Sequence, residues 1–133
     1  MVDIVDKINK IEKLFHARGC TDEQIKTAEK KLGFSLPMEY VQYVRTFGAI
    51  SFYATEWTGL NVGERINVVD VTEQERKMNS DFPKDCFVLE NQGIDGIIIV
   101  ADTDGKVFSV QYDKKELICN SISDYLEQCI SRA

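Results

Sequence analysis

The chain changes its hydrophobic period near its middle. Ile4, Ile8, Ile11 and Phe15 recur at spacings of four, three and four, with Val5 and Leu14 beside them. That is one face of an α-helix, and the pattern predicts a first helix over residues 2–18, closed by Gly19. Thr21 and Gln24 stand three apart, the spacing of a capping box. Ile25, Ala28 and Leu32 then share a face, and Gly33 sits where a left-handed C-cap is wanted. Pro37 cannot continue a preceding helix but suits the first turn of a new one. Tyr40, Val41, Val44 and Phe47 form the apolar stripe of that helix, and Gly48 ends it.

After Gly48 the period falls to two. Ile50 and Phe52 alternate with Ser51 and Tyr53, giving a first strand, and residues 64–69 read as a second. Residues 71–80 are open to two readings, a short helix or a loop, with Thr72 and Glu75 at capping-box spacing. Cys86–Glu90 reads as a third strand. The unbroken β-branched run Ile97–Ala101 reads as a central strand covered on both faces. Asp102-Thr-Asp-Gly105 supplies a hairpin turn, Val107–Tyr112 the next strand, and 117–119 a short last one. Ser121 caps a closing helix whose face is Ile122, Tyr125, Leu126, Cys129 and Ile130. The order predicts an α+β domain over residues 1–133. The N-terminal helices pack on one face of a mainly antiparallel β-sheet, with a C-terminal helix.

Several junctions resemble a known family. In Ile25–Gly48 an Ala-Glu pair in a helix (Ala28-Glu29) is followed by Leu32-Gly33, Leu36-Pro37, Tyr40 and a helix ending in glycine. Further on come a Gly-rich turn (Gly93 to Gly96), an apolar strand, an Asp-x-Asp-Gly hairpin, a second strand and a Ser-capped helix. On these elements the chain is similar, over roughly residues 20–130, to the SUKH (Smi/Knr-like) superfamily of immunity proteins. Many relatives carry a second glycine where this chain has Ala49. The resemblance implies a protein that binds and neutralises a cognate toxin by protein–protein contact, without cofactor or catalytic residues. It also implies a different reading, a non-toxin adaptor or regulatory scaffold, because eukaryotic relatives act in signalling and cell-wall regulation.

Composition narrows the partner. At 133 residues, 44% hydrophobic and 29% charged, the chain can bury roughly two thirds of its unfolded surface in one core. No apolar run approaches the roughly 18 residues that span a bilayer, so no membrane partner is expected. The acidic start, Met-Val-Asp-Ile-Val-Asp, is unlike a signal peptide, which leads to an expected cytoplasmic location. Cys20, Cys86, Cys119 and Cys129 are widely spaced, without a C-x-x-C. An even count suits two disulfides in a secreted chain; in the expected compartment they are reduced and structural. The net charge is −6. Residues 1–48 carry eight Lys/Arg against seven Asp/Glu, and residues 49–133 eight against fifteen. Such a balance repels phosphate backbones, so nucleic acid is not expected as a ligand, and an electrostatic partner should be basic.

Catalytic and metal signatures are missing from the sequence. His16, the single histidine, lies four residues from Cys20, but a zinc site needs three or four ligands. Asp102-Thr-Asp-Gly departs from a calcium loop at Val100 and Gln111. No enzyme, metal or cofactor is therefore expected. The residues proposed for partner contact are Glu56, Trp57, Glu64, Glu90, Asp95 and Asp113. The acids are expected on the sheet face away from the helices and on its loops, steering a basic toxin. Trp57 has two readings, a binding hot spot or part of the core.

Overall fold

The computed structural model describes residues 3–92 and 96–132. Its elements in chain order are α1 (Ile4–Asn9), β1 (Phe15–His16), α2 (Asp22–Leu32), α3 (Met38–Phe47), β2 (Ile50–Phe52) and β3 (Thr55–Glu56). They continue with α4 (Val68–Met78), β4 (Cys86–Asn91), β5 (Ile97–Asp102), β6 (Val107–Gln111), β7 (Lys114–Cys119) and α5 (Ile122–Ser131). The class is α+β with a C-terminal helix, as expected. The strands divide into two antiparallel sheets, β1-β2-β3 and β4-β5-β6-β7.

Local signals set most helix ends. Thr21 and Gln24 form a complete capping box on α2, and the Ser121 hydroxyl accepts from the Asp124 amide at the start of α5. That start has a second acceptor. The Glu39 carboxylate of α3 takes the Ile122 amide at 3.0 Å and the Ser123 amide at 3.2 Å. One acid thus satisfies two of the orphan donors of another helix.

The first helix is far shorter than residues 2–18. It ends at Asn9, and Lys13 adopts a left-handed backbone (φ 58°) that turns the chain. Phe15 and His16 then pair with Ser51 and Ile50. The Ala17 and Cys20 amides donate to Ala49 and Val44 carbonyls, each at 3.0 Å. Ile11 and Leu14 still pack on the core, but Phe15 is 72% exposed. Helical continuation would forfeit these pairings and the close passage at Gly48, where a Cβ would lie 2.0 Å from the Arg18 carbonyl oxygen. Gly59 makes a similar contact with the Gly48 carbonyl, so three backbone segments meet where no side chain fits.

Residues 64–69 are not a strand. Asn67 caps α4 by accepting from the Val69 amide, and Val68 and Val69 begin that helix, buried in the core. The open reading of 71–80 resolves as the body of α4. Thr72 is an interior residue of that helix, not its cap, and its hydroxyl accepts from the Val88 amide on the edge of β4 at 3.0 Å.

Through β4 and β5 and part of β6 the four-stranded sheet is covered on both faces, while most of β7 stays exposed. Phe87, Leu89, Ile99, Ala101, Val107 and Cys119 join the larger core with α1, α2, α3, α5 and the start of α4. Alternation sends Cys86, Val88, Ile98, Val100 and Val110 to the other side, where Phe82, Val71 and Phe108 pack with them. The face away from the N-terminal helices is thus a second apolar cluster rather than an acidic platform.

A buried hydrogen-bond junction ties the two sheets. The Thr58 amide donates to Leu89 O at 2.9 Å and its hydroxyl to Val88 O at 2.8 Å. The Tyr40 hydroxyl bonds to the Thr58 hydroxyl at 2.9 Å. Tyr43 donates to the Thr58 carbonyl at 2.8 Å and accepts from the Ile50 amide at 3.0 Å. Together with Thr72 these groups occupy the outer edge of β4, which would otherwise leave buried main-chain groups unpaired.

Candidate functional site

Two of the six proposed contact residues are in the interior. Trp57 has no exposed surface. It follows β3 directly, and its amide donates to Ile50 O at 3.1 Å. Its ring lies edge-on to Tyr43 and stacks on Tyr125, with centroids 5.4 and 6.1 Å away. The core reading of Trp57 therefore holds over the hot-spot reading.

Glu90 is 3% exposed. The cause is a β-bulge: Val88 pairs with Val100 and Glu90 with Ile99, leaving Leu89 as the extra residue. Without it Glu90 would point away from the larger core. With it Leu89 and Glu90 both face that core. There Glu90 accepts from the Tyr125 hydroxyl and from Arg132 at 3.2 and 3.4 Å. The Cys129 thiol lies 3.9 Å from the same carboxylate. Burial first, then the neighbouring Cys129 and Glu90, pushes the Tyr125 hydroxyl above its ordinary range; burial and Glu90 do the same to Cys129.

Glu56, Glu64 and Asp113 are exposed, and Asp95 lies outside the described residues. Glu56 accepts two parallel bonds from Arg65, at 2.7 and 2.8 Å. Those bonds hold its carboxyl below the usual range, so Glu56 presents a half-neutralised charge. Glu64 neighbours Arg65 in the turn before α4. Asp113 sits in the β6–β7 turn, beside Tyr112, whose carbonyl accepts from the Asn79 side chain at the far end of α4. The 11 residues of α4 span roughly 16 Å. The fold therefore brings Glu56 and Glu64 to either side of Arg65 and leaves Asp113 apart, at the other end of α4.

Beside Glu64 the chain forms a groove of about 710 Å³ between α2 and the segment from Leu60 to Asp70. Ala28, Leu60 and Val69 are buried at its floor. Glu23, Thr27 and Lys31 line the α2 side and Asp70 the α4 side. Asn61, left-handed at φ 61°, is tied across to α2 by a 3.3 Å bond from Gln24. The signal for this groove in the sequence is faint. Glu23, Thr27 and Lys31 recur every four residues beside the apolar stripe of α2, and nothing local shows what they face.

His16 is exposed, its Nδ1 2.7 Å from the Ala17 carbonyl oxygen, and Cys20 is buried. Among the described residues no three His, Cys, Asp or Glu side chains are grouped to hold a metal ion. All four cysteines are free and buried. Burial pushes the Cys86 thiol up to about 12. Among the described residues no helix is long and apolar enough to cross a membrane.

Helices over a pair of antiparallel sheets, with a C-terminal helix and an open groove at the surface, define the class as α+β. Comparison with family models matches residues 1–131 to SUKH_5, described as SMI1-KNR4 cell-wall. The chain belongs to this family of the SUKH superfamily. No curated protein sequence matches it significantly.

Proposed function

We propose that the chain is an immunity protein that binds a cognate toxin domain and blocks it by protein–protein contact. The observation that carries this reading is membership of the SUKH superfamily across residues 1–131. The charge balance adds the partner's character: the acidic surplus of residues 49–133 suits a basic toxin, such as a nuclease. Exposed Glu56, Glu64 and Asp113 are the acids proposed to meet it. Inhibition on this reading needs no catalytic step, cofactor or metal, and takes place in the cytoplasm.

Co-expression with a toxin domain encoded beside this chain tests the reading. Growth should be restored and the two proteins should co-purify. Reversing Glu64 and Asp113 to Lys together should slow association several-fold and flatten its salt dependence, because exposed charges act mainly on encounter rate. Association indifferent to salt would remove the electrostatic part. Failure of the chain to restore growth would remove the immunity reading. The description of the matched family as cell-wall favours a second reading, an adaptor or regulatory scaffold. It would be marked by co-purification of a non-toxic partner with no protection against the toxin.

A further inference from the structure

We infer that the groove between α2 and the Leu60–Asp70 segment seats an extended, basic segment of a protein partner. This deepens the protein-binding reading above and rests on it.

The first argument is shape. From Glu23 to Lys31 the α2 wall covers eight residue steps, or roughly 12 Å, the length of about four residues of extended chain at about 3.3 Å each. A volume of about 710 Å³ lies within the range of formed ligand pockets. Its floor holds Ala28, Leu60 and Val69, already almost wholly covered, so polar and charged side chains of an occupant, rather than apolar ones, would find partners along the walls.

The second argument is charge. Carboxylates stand on both sides, Glu23 on α2 and Asp70 on α4, and Glu64 follows the lining residue Gly63 along the loop. Among the lining residues the cation is Lys31, at the other end of the α2 wall from Glu23. A basic segment would find a carboxylate on each wall, Glu23 and Asp70. An acidic segment would meet repulsion from both.

The third argument is preorganisation. The complete capping box fixes the start of α2, the Asn67 side chain fixes the start of α4, and the Gln24–Asn61 bond joins α2 to the loop. Walls already held in place lower the ordering cost of binding.

The test uses the intact chain and a displayed library of random linear nonapeptides. Selected peptides should be enriched in Lys or Arg. Their affinity should fall at least ten-fold on Glu23→Gln with Asp70→Asn and stay unchanged on the distant control Glu116→Gln. Amide exchange should slow over residues 21–31 and 60–70 when such a peptide is bound. No enrichment of basic peptides, or affinity unmoved by the double substitution, overturns the inference. Toxin neutralisation at full strength by the same double variant would overturn the groove and leave the immunity reading standing. Groove-dependent basic peptides, with no toxin countered by the wild-type chain, would do the reverse.

Discussion

Two Glu–Arg pairs in this molecule have the same chemistry in different surroundings. Glu56–Arg65 has the better geometry, two parallel bonds of 2.7 and 2.8 Å, but its side chains are 43% and 73% exposed. Glu90–Arg132 is longer, at 3.2 to 3.4 Å, with side chains 3% and 35% exposed. Solvent reverses the ranking that distance suggests. An exposed pair is screened and gains little. A buried one gains little net when formed but costs much when one partner is removed, since a charge is stranded. The difference also sorts the acids by availability. Glu56 is accessible to a partner with part of its charge already answered, while Glu90 serves to hold α5 against β4.

The largest effect expected from this comparison is at Arg132. Arg132→Met strands the Glu90 carboxylate, and the loss should be about 2–4 kcal/mol, below the fully buried limit because Arg132 is partly wet. Urea unfolding followed by the fluorescence of Trp57, which stacks on Tyr125, would measure it. Adding Glu90→Gln to Arg132→Met removes the stranded charge while keeping an acceptor for the Tyr125 hydroxyl. More than half of the loss should return. A loss under about 0.5 kcal/mol, or no recovery, would mean that the pair does not tie α5 down.

The second effect is alkaline and belongs to the buried side alone. Cys129 and Tyr125, beside Glu90, have folded-state values raised by burial first. A raised acid keeps its full stabilising effect below its unfolded value and loses it as pH climbs toward the folded one. For a thiol with an ordinary value of 9.0, the loss begins near that pH. It steepens toward about 1.4 kcal/mol per pH unit for each group ionised only in the unfolded chain. Cys129→Ala should shallow the stability slope between pH 8.5 and 10. An unchanged slope would place Cys129 outside the titrating set.

What could be read in the sequence follows the range of the interaction involved. Thr21, Gln24 and Ser121 act within one helical turn, so their caps were legible, as were the stripes Ile25/Ala28/Leu32 and Tyr40/Val44/Phe47. The hairpin at Asp102–Gly105 was legible for the same reason: Asp102 accepts from Asp104 and Lys106 within the turn. The first helix is shorter than its pattern because the apolar spacing continues past the point where pairing with Ile50 and Ser51 takes over. The candidate site is less legible. Strand alternation puts Glu90 outside because it cannot foresee the bulge at Leu89. Trp57 admits two readings from the sequence because its neighbours, Tyr43 and Tyr125, lie far away in the chain. Glu56 is exposed, but its partner Arg65 stands nine positions further on, a pairing that no local rule signals.

On the exposed side the effects should be small. Glu56→Gln and Arg65→Met should each leave the urea midpoint almost unmoved, and a double-mutant cycle between them should return only a small coupling. In 1 M salt, where screening acts within about 3 Å, most of the coupling should disappear. A coupling as large as that of Glu90–Arg132, or one untouched by salt, would erase the distinction between the two pairs.

The smallest effect is the acid titration of that surface pair. The Glu56 carboxyl is held below its ordinary value, chiefly by the hydrogen bonds from Arg65, with burial working against them. A depressed acid contributes stability above its unfolded value and loses it as pH falls through the folded one. The wild-type advantage over Glu56→Gln should thus be constant from pH 7 to about 5 and shrink from near the ordinary carboxylate value of 4.5 downward. It should vanish once the carboxyl is protonated in both states. With almost half of the side chain in water, the whole excursion should stay within a fraction of a kcal/mol. Paired urea titrations of the two proteins at half-unit pH steps would resolve it by difference. An advantage undiminished at pH 3, or larger there, would show that Glu56 stabilises through packing or a neutral hydrogen bond and not through the charge of Arg65. Its carboxylate would then be less engaged at neutral pH than the geometry indicates, and more of its charge would be free to steer a basic partner.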